Sequence, residues 1–410
     1  MLWVKSFRPE GETRVKLLLL GFSIRGMAES IARSCYRDWQ LVCLDYFGDY
    51  DLAQWGKVYS LPRDFGVEKF SPRALLQIVR NLDYDAVAYT SGIEATPALV
   101  EAVAAGKELL GNGGGALGAA RYWEGLHRFL RDQGIAFPRT LYSWKGPLPP
   151  GQWLLKPRDS GGGIGITWAR EGNQLPAGYL LQEFQDGIPA SVSFLADGRD
   201  AVILGMSEQL IGWGEFGARG FAYCGNIVPL WREHWNQGGI PPFLFHKIKE
   251  MVRLLTRKCG LRGLNGIDFL VTPKDDLLFL ELNPRYCASM ELLQEAYGLD
   301  LFALHVQACR GRLPRQHTLL EEGREQARYW AKAILYAPWN LRTGDTRGWY
   351  AAGVRDVPHP GERIGARSPV CTLLARGDTR VETMLALKEK QTWILGQVYP
   401  ETGGELVSED

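Results

Sequence analysis

The chain has 410 residues, with 47 Lys and Arg against 46 Asp and Glu and a formal net charge of +1. That length exceeds one ordinary core and implies two or three domains, while the balanced charge, without a long run of either sign, argues against nucleic acid or an anionic membrane surface as a main partner. The longest aliphatic run, Leu17–Leu20, is far short of a bilayer span, the first fifteen residues mix Lys5, Arg8, Glu10, Glu12 and Arg14, and seven cysteines lie scattered without a Cys-x-x-Cys pair. Reduced thiols in a cytoplasmic protein, with no export signal, zinc site or disulfide framework, are the expectation.

In chain order, "VKLLLLGF" reads as a buried parallel strand, Gly21 to Gly26 as a turn and "MAESIARSC" as a helix. "QLVCLDYF" and "DAVAYTSG" are two further strands, and "TPALVEAVAAG" is a helix. Alternation of this kind predicts a small doubly wound sheet. Its first turn, "GFSIRG", lacks the Gly-x-Gly-x-x-Gly of dinucleotide sites and serves structure or substrate, with Ser23 and Arg25 as possible contacts. The glycines at 113–115 read as a flexible link, followed by a helix with Trp123, Leu126, Phe129 and Leu130 turned inward. Beyond it, "QWLLKP", "YLLQEF" and "ASVSFLAD" are short strands, and "PPFLFHKIKEMVRLLTRKCG" is a long helix closed by Gly260. A last region has short strands around "DVPHPGERIG" and a closing helix "VETMLALKEKQTWILGQ".

Three stretches carry chemistry. In "WLLKPRDSGGGIGI" a strand delivers Lys156 and then a glycine loop whose backbone amides can fold over an anion, with the ammonium as a point charge for phosphate oxygens. No Gly-Lys-Ser/Thr closes it, so it is not a Walker loop. In "LLQEFQDG" a strand edge near Gln182 and Glu183 offers amide and carbonyl groups to an adenine. In "NGIDFLV" and "LLFLELN", a four-residue loop, Pro273 to Asp276, pairs Thr272 with Leu277 and hence Asp268 with Glu281. Strand alternation then places Phe279, Glu281 and Asn283 on one face. Opposed carboxylates repel, which argues for a cation between them, and oxygen ligands select Mg²⁺ or Mn²⁺.

Lys156, the glycine loop, "LLQEF", Asp268 and "ELNPR" stand in the order and spacing of the ATP-grasp superfamily, which the chain resembles. The resemblance implies an α/β and α+β fold: an N-terminal doubly wound domain (14–118), an ATP-grasp domain of two lobes (119–312) and a small biotin-carboxylase-like C-terminal domain (326–400). It makes Lys156 a phosphate ligand, Ser160, Gly161, Gly162 and Gly163 the flap, and Gln182, Glu183 and Phe184 the adenine edge. Asp268, Glu281 and Asn283 become magnesium ligands, and Arg285 meets the transferring phosphate. Arg219 and Asn226 fall near the same cleft. Arg121 stands where many members have lysine, which preserves the charge; Ala190 and Ser191 stand where many have a ribose-binding acid.

The activity so implied is that of an ADP-forming carboxylate–amine ligase working through an acyl phosphate. ATP, magnesium, a small carboxylate and an amine-type nucleophile are its expected ligands, and a homodimer is left open. A carboxylase-like enzyme phosphorylating bicarbonate and a non-catalytic nucleotide-binding regulator are the rivals. Trp213, Phe216, Arg219 and Tyr223 are candidates to line a substrate pocket.

Overall fold

The computed structural model describes residues 15–170, 174–232, 235, 240–315 and 329–401; the expected domain starts at 14 and 326 fall outside them. Strands β1 (Lys16–Gly21), β2 (Gln40–Asp45), β3 (Gly56–Ser60), β4 (Ala86–Tyr89) and β5 (Glu108–Leu110) form a parallel sheet in the order β3-β2-β1-β4-β5. A central parallel strand is covered on both faces, which explains four consecutive leucines in β1. Leu17 and Leu19 enter one core and Leu18 and Leu20 another. Helices α1 (Arg25–Ala32), α2 (Leu61–Phe65), α3 (Pro72–Val79) and α4 (Pro97–Val103) link the strands. β3 and β5, only five and three residues long, go beyond the three strands legible in the sequence.

The glycine cluster is no flexible link. Helix α5 (Gly114–Arg121) begins inside it, and the Gly114 amide donates to Glu101 of α4 at 2.6 Å. A side chain at 114 would meet Glu101 at 2.6 Å, so close approach, not mobility, accounts for the glycine. Helix α6 (Trp123–Asp132) follows and buries Trp123, Leu126, His127 and Leu130.

Strands β6 (Thr140–Leu141), β7 (Trp153–Pro157), β8 (Thr167–Trp168) and β9 (Tyr179–Glu183) make a small antiparallel sheet, ordered β6-β9-β7-β8. A larger one is built from β10 (Ile188–Asp197), β11 (Ala201–Ile211), β12 (Tyr223–Val228), β13 (Arg262–Val271) and β14 (Leu277–Asn283). It continues into β15 (Tyr329–Tyr336). Beyond β16 (Leu341–Thr343), β17 (Val354–Arg355) and β18 (Arg363–Ile364), strand β19 (Pro369–Gly377) pairs with β15 and β17. The order β14-β13-β10-β11-β12-β15-β19-β17 makes the C-terminal strands an extension of the central sheet. β16, β18 and β20 (Val398–Pro400) form a separate small sheet.

Helix α7 (Pro242–Cys259) packs Leu244, Ile248, Met251, Val252 and Leu255 onto one face of the large sheet, against Ile267, Phe269 and Phe279. On the other face, Leu195, Leu204 and Leu264 meet α8 (Met290–Tyr297) and α9 (Leu301–Cys309). Helix α10 (Arg380–Leu395) lies on β19 and β15.

Two buried polar groups lock these parts together. The Asn112 amide donates to Asn265 at 2.8 Å and to the Pro284 carbonyl at 2.9 Å, and its oxygen accepts from the Arg262 amide at 2.7 Å. Arg25, considered above as a ligand contact, is only 1% exposed; it donates to Glu29 at 3.1 Å, to Glu291 of α8 and to Asp356 after β17. Its acids are inside the protein, so Arg25 is structural. Phe216 is fully buried, which removes it from the candidate pocket lining, while Trp213 is half-buried against the same core. Among the described residues, no helix is long and apolar enough to cross a membrane.

Candidate active site

Asp268 and Glu281 are cross-strand partners, but by a different route from the simple count. The turn pairs Val271, not Thr272, with Leu277, and Phe269 pairs with Phe279; a bulge between Asp268 and Phe269 then brings Asp268 opposite Glu281. The extra residue on β14 reverses its alternation. Phe279 and Leu282 therefore both point into the α7 core, and the expectation that Phe279 shares a face with Glu281 and Asn283 is corrected. The two polar residues look the opposite way, across the gap to the small sheet.

Cations from three elements gather there. Arg121, at the end of α5, donates to Glu281 at 3.1 Å, and Lys156 on β7 stands 3.8 Å from the same carboxylate. The ammonium lies over the Trp123 ring, 4.9 Å from its centroid. Arg285, just past β14, donates to Asn283 Oδ1 at 3.1 Å and to Glu94 at 2.6 Å. Glu94 follows β4 at the C-terminal end of the parallel sheet and also meets Arg121 at 3.3 Å. Burial alone would raise the Glu94 carboxyl, but Arg285 and Arg121 hold it below its ordinary value.

Asp268 accepts from Asn283 Nδ2 and from Gln209 of β11, both at 2.9 Å. Burial, and after it the charge of Glu281, pushes its carboxyl up to about 7. Three cations (Arg121, Lys156, Arg285) thus face three acids (Glu94, Asp268, Glu281) in one cleft between the sheets.

The other expected residues divide. Asn226 on β12 pairs in register with Gln209 and donates to Ser207 at 2.9 Å, while the Tyr223 hydroxyl donates to it. Among the described residues its link to the cluster is its strand neighbour Gln209. Arg219 is exposed on the loop before β12, and among the described residues no contact brings it to the carboxylates. Ser160 to Gly163 form an exposed loop between β7 and β8 whose tip reaches the large-sheet side. The Tyr223 amide donates to the Gly162 carbonyl at 2.9 Å, and a Cβ on Gly163, at φ +75°, would lie 1.8 Å from the Phe221 carbonyl oxygen.

Gln182, Glu183 and Phe184 are not at a sheet edge. β9 runs between β6 and β7, the Glu183 amide donates to Arg139 and the Phe184 amide to Gln152, each at 2.8 Å, and the Gln182 side chain donates to Thr140 at 3.1 Å. Any backbone groups for a purine there come after Phe184, where pairing ends. The Phe184 ring joins Trp168 and Phe221 at centroid distances of 5.0 and 6.4 Å, an apolar wall shared by both lobes.

The sequence reading missed Glu94 and Gln209. Glu94 had a signal, an acid just beyond a parallel strand where open α/β sheets place their ligands; Gln209 had none.

Residues 124–289 match the family model of the ATP-grasp domain. The formate-dependent phosphoribosylglycinamide formyltransferase of Anaeromyxobacter dehalogenans is 33% identical over 82 residues, 20% of this chain and 21% of that protein. The chain thus spans about a fifth of the length of the curated relatives it matches. The biotin carboxylase domain dimer of Hydrogenobacter thermophilus 2-oxoglutarate carboxylase, solved with MgADP, ADP and bicarbonate, is similar at TM-score 0.67 and 14% identity, over 96% of this chain and 92% of that one. An L-amino acid ligase from Bacillus licheniformis is similar at TM-score 0.65 and 12% identity, over 95% of this chain and all (100%) of that one. These likenesses establish the ATP-grasp fold.

Proposed function

We propose that this chain, which carries an ATP-grasp domain, is an ATP-dependent ligase that activates a carboxylate as an acyl phosphate and passes the acyl group to an amine, releasing ADP and phosphate. The observation that carries the reading is the three-against-three charge cluster, built from both sheets and from the C-terminal end of the parallel sheet. The chemistry asks little covalent help of the protein: alignment and neutralisation of charge suffice. A substrate carboxylate oxygen attacks the γ-phosphorus and ADP leaves; the amine then attacks the acyl carbon and phosphate leaves.

Lys156 and Arg121 are the residues to bind the nucleotide phosphates, exchanging Glu281 for phosphate oxygens. Arg285 is aimed by Glu94 and Asn283 toward the group in flight. The loop Ser160–Gly163, closed on Phe221 and Tyr223, excludes water that would hydrolyse the acyl phosphate. The segment past Phe184 is the place for the adenine. Asn226 and Arg219 are assigned to the acceptor side of the cleft.

Asp268, Glu281 and the Asn283 oxygen fit a hard divalent cation in donor chemistry; burial, and after it the opposed Glu281, raises the Asp268 carboxyl, and a cation there would relieve both. Among the described residues no three His, Cys, Asp or Glu converge as a metal cage, so phosphate oxygens and water would complete the shell. When bound, magnesium held by Asp268, Glu281 and Asn283 would offset the charge of the phosphates. We assign the chain three units, 14–118, 119–312 and 326–400. Measuring substrate-dependent ADP release over a panel of carboxylates and amines tests the function; release driven by bicarbonate without an amine would favour the carboxylase reading, and none with any acid would refute the ligase.

A further inference from the structure

We infer that a second anion site, for a small molecule bearing phosphate, lies where α1, α8, α10 and the far end of the large sheet meet. A cleft of about 370 Å³ there is lined by Arg33, Arg355, Arg376 and Lys390, with Glu295 the single acid among its lining residues and Trp330 alongside. Four cations against one acid is out of proportion in a chain whose total is +1.

Two of the four are compensated. Arg33 pairs with Glu29 and Glu295, and Arg355 donates to Glu29 at 3.1 Å. The other two are not: the Lys390 ammonium donates to the Leu374 carbonyl at 2.6 Å, Arg376 lies over the Trp330 ring 5.9 Å from its centroid, and among the described residues neither is paired with a carboxylate. Burial, and behind it the charge of Arg355, holds the Lys390 ammonium below its ordinary value. Cations crowded in this way repel one another, and an anion removes that repulsion.

The chemistry of the occupant follows from the lining. The volume is that of a small-molecule site, the surplus of charge calls for more than a single carboxylate, and guanidinium groups bind phosphate oxygens in pairs. Trp330 offers a flat apolar wall. This cleft is apart from the ATP cleft: α1 starts beside the C-terminal ends of the parallel strands, and Arg33, eight residues beyond Arg25, is roughly 12 Å further along the helix axis. An occupant would act on Glu29, which Arg33 and Arg355 share with Arg25, and so on the ion pairs joining the N-terminal sheet to α8 and the C-terminal strands.

Inorganic pyrophosphate is the probe, titrated calorimetrically into the full chain at constant ionic strength. Wild type and Lys156→Ala should both bind it, and Arg376→Gln and Lys390→Gln should each weaken that binding by roughly tenfold or more. Arg376 is exposed, so its replacement leaves folding intact even if Lys390→Gln does not, with the melting temperature as the check. Binding absent from wild type, unchanged in Arg376→Gln, or abolished by Lys156→Ala would overturn the site. Tighter binding of citrate than of pyrophosphate, lost in the same variants, would overturn the phosphate class.

Discussion

Replacing Glu94 by Gln keeps the shape of the side chain and removes the charge on which two buried guanidinium groups depend. Arg285 and Arg121 have side chains 12% and 10% exposed, and the Glu94 side chain is 4% exposed. Removing one partner of a buried ion pair costs about 3–5 kcal/mol, chiefly because the orphaned charge remains buried. Arg285 keeps Asn283 Oδ1 at 3.1 Å and the Tyr286 carbonyl at 3.2 Å, and Arg121 keeps Glu281 at 3.1 Å, so the lower end, about 3 kcal/mol, applies. Against a typical total of about 5–15 kcal/mol, that is readily visible in urea unfolding at pH 7. Freed from Glu94, Arg285 would turn to Glu281, and kcat should fall by more than tenfold with little change in the KM for ATP. A loss of stability under about 1 kcal/mol with unaltered kcat would refute the assignment of Glu94 as the group that aims Arg285.

Lys156→Ala should weaken ATP binding or turnover by at least about tenfold, or 1.4 kcal/mol, without unfolding the chain, as nucleotide titration of the folded variant would report; equal affinity and rate would remove Lys156 from the site. Asp268→Asn and Glu281→Gln should each abolish magnesium-dependent turnover and leave metal-free nucleotide binding largely intact, and activity at ordinary magnesium in both would contradict the metal assignment. Gly163→Ala, whose new methyl would meet the Phe221 carbonyl at 1.8 Å, should keep the flap from seating and raise the fraction of ATP hydrolysed without product; tight coupling in that variant would count against a water-excluding flap. Burial pushes His305 down to about 4 from an ordinary 6.5, so below pH 6.5 the unfolded chain takes up the proton first and stability falls as pH drops from 6.5 toward 4. Urea midpoints should therefore decline less between pH 7 and pH 5 in His305→Gln than in wild type, and identical slopes would show that His305 does not titrate on unfolding.

The sequence disclosed those parts of the fold whose pattern is local. Four leucines in β1 and the α7 helix with Gly260 at its end were legible from periodicity and punctuation, whereas Asp268 meets Glu281 although the count from the turn was one residue out. The bulge in β14 was not legible, because Leu277, Leu278, Leu280 and Leu282 are apolar in either phase and leave the register ambiguous. Glycines at 114 and 115 disfavour helix on propensity, and only contact with Glu101 shows why α5 starts there. The position of β9 between two strands and the run of the large sheet into β15 and β19 depend on pairings distant in sequence. Glu94 reaches Arg285 across 191 residues, a distance no motif spans.

The central claim, attack of a carboxylate on the γ-phosphate, is tested most directly by the products formed when hydroxylamine replaces the amine. With a productive carboxylate, ATP and magnesium, the account predicts a hydroxamate and equal amounts of ADP and phosphate. AMP and pyrophosphate as the stoichiometric products would contradict it, because attack at the α-phosphate forms an acyl adenylate and leaves no acyl phosphate for Arg285 to stabilise.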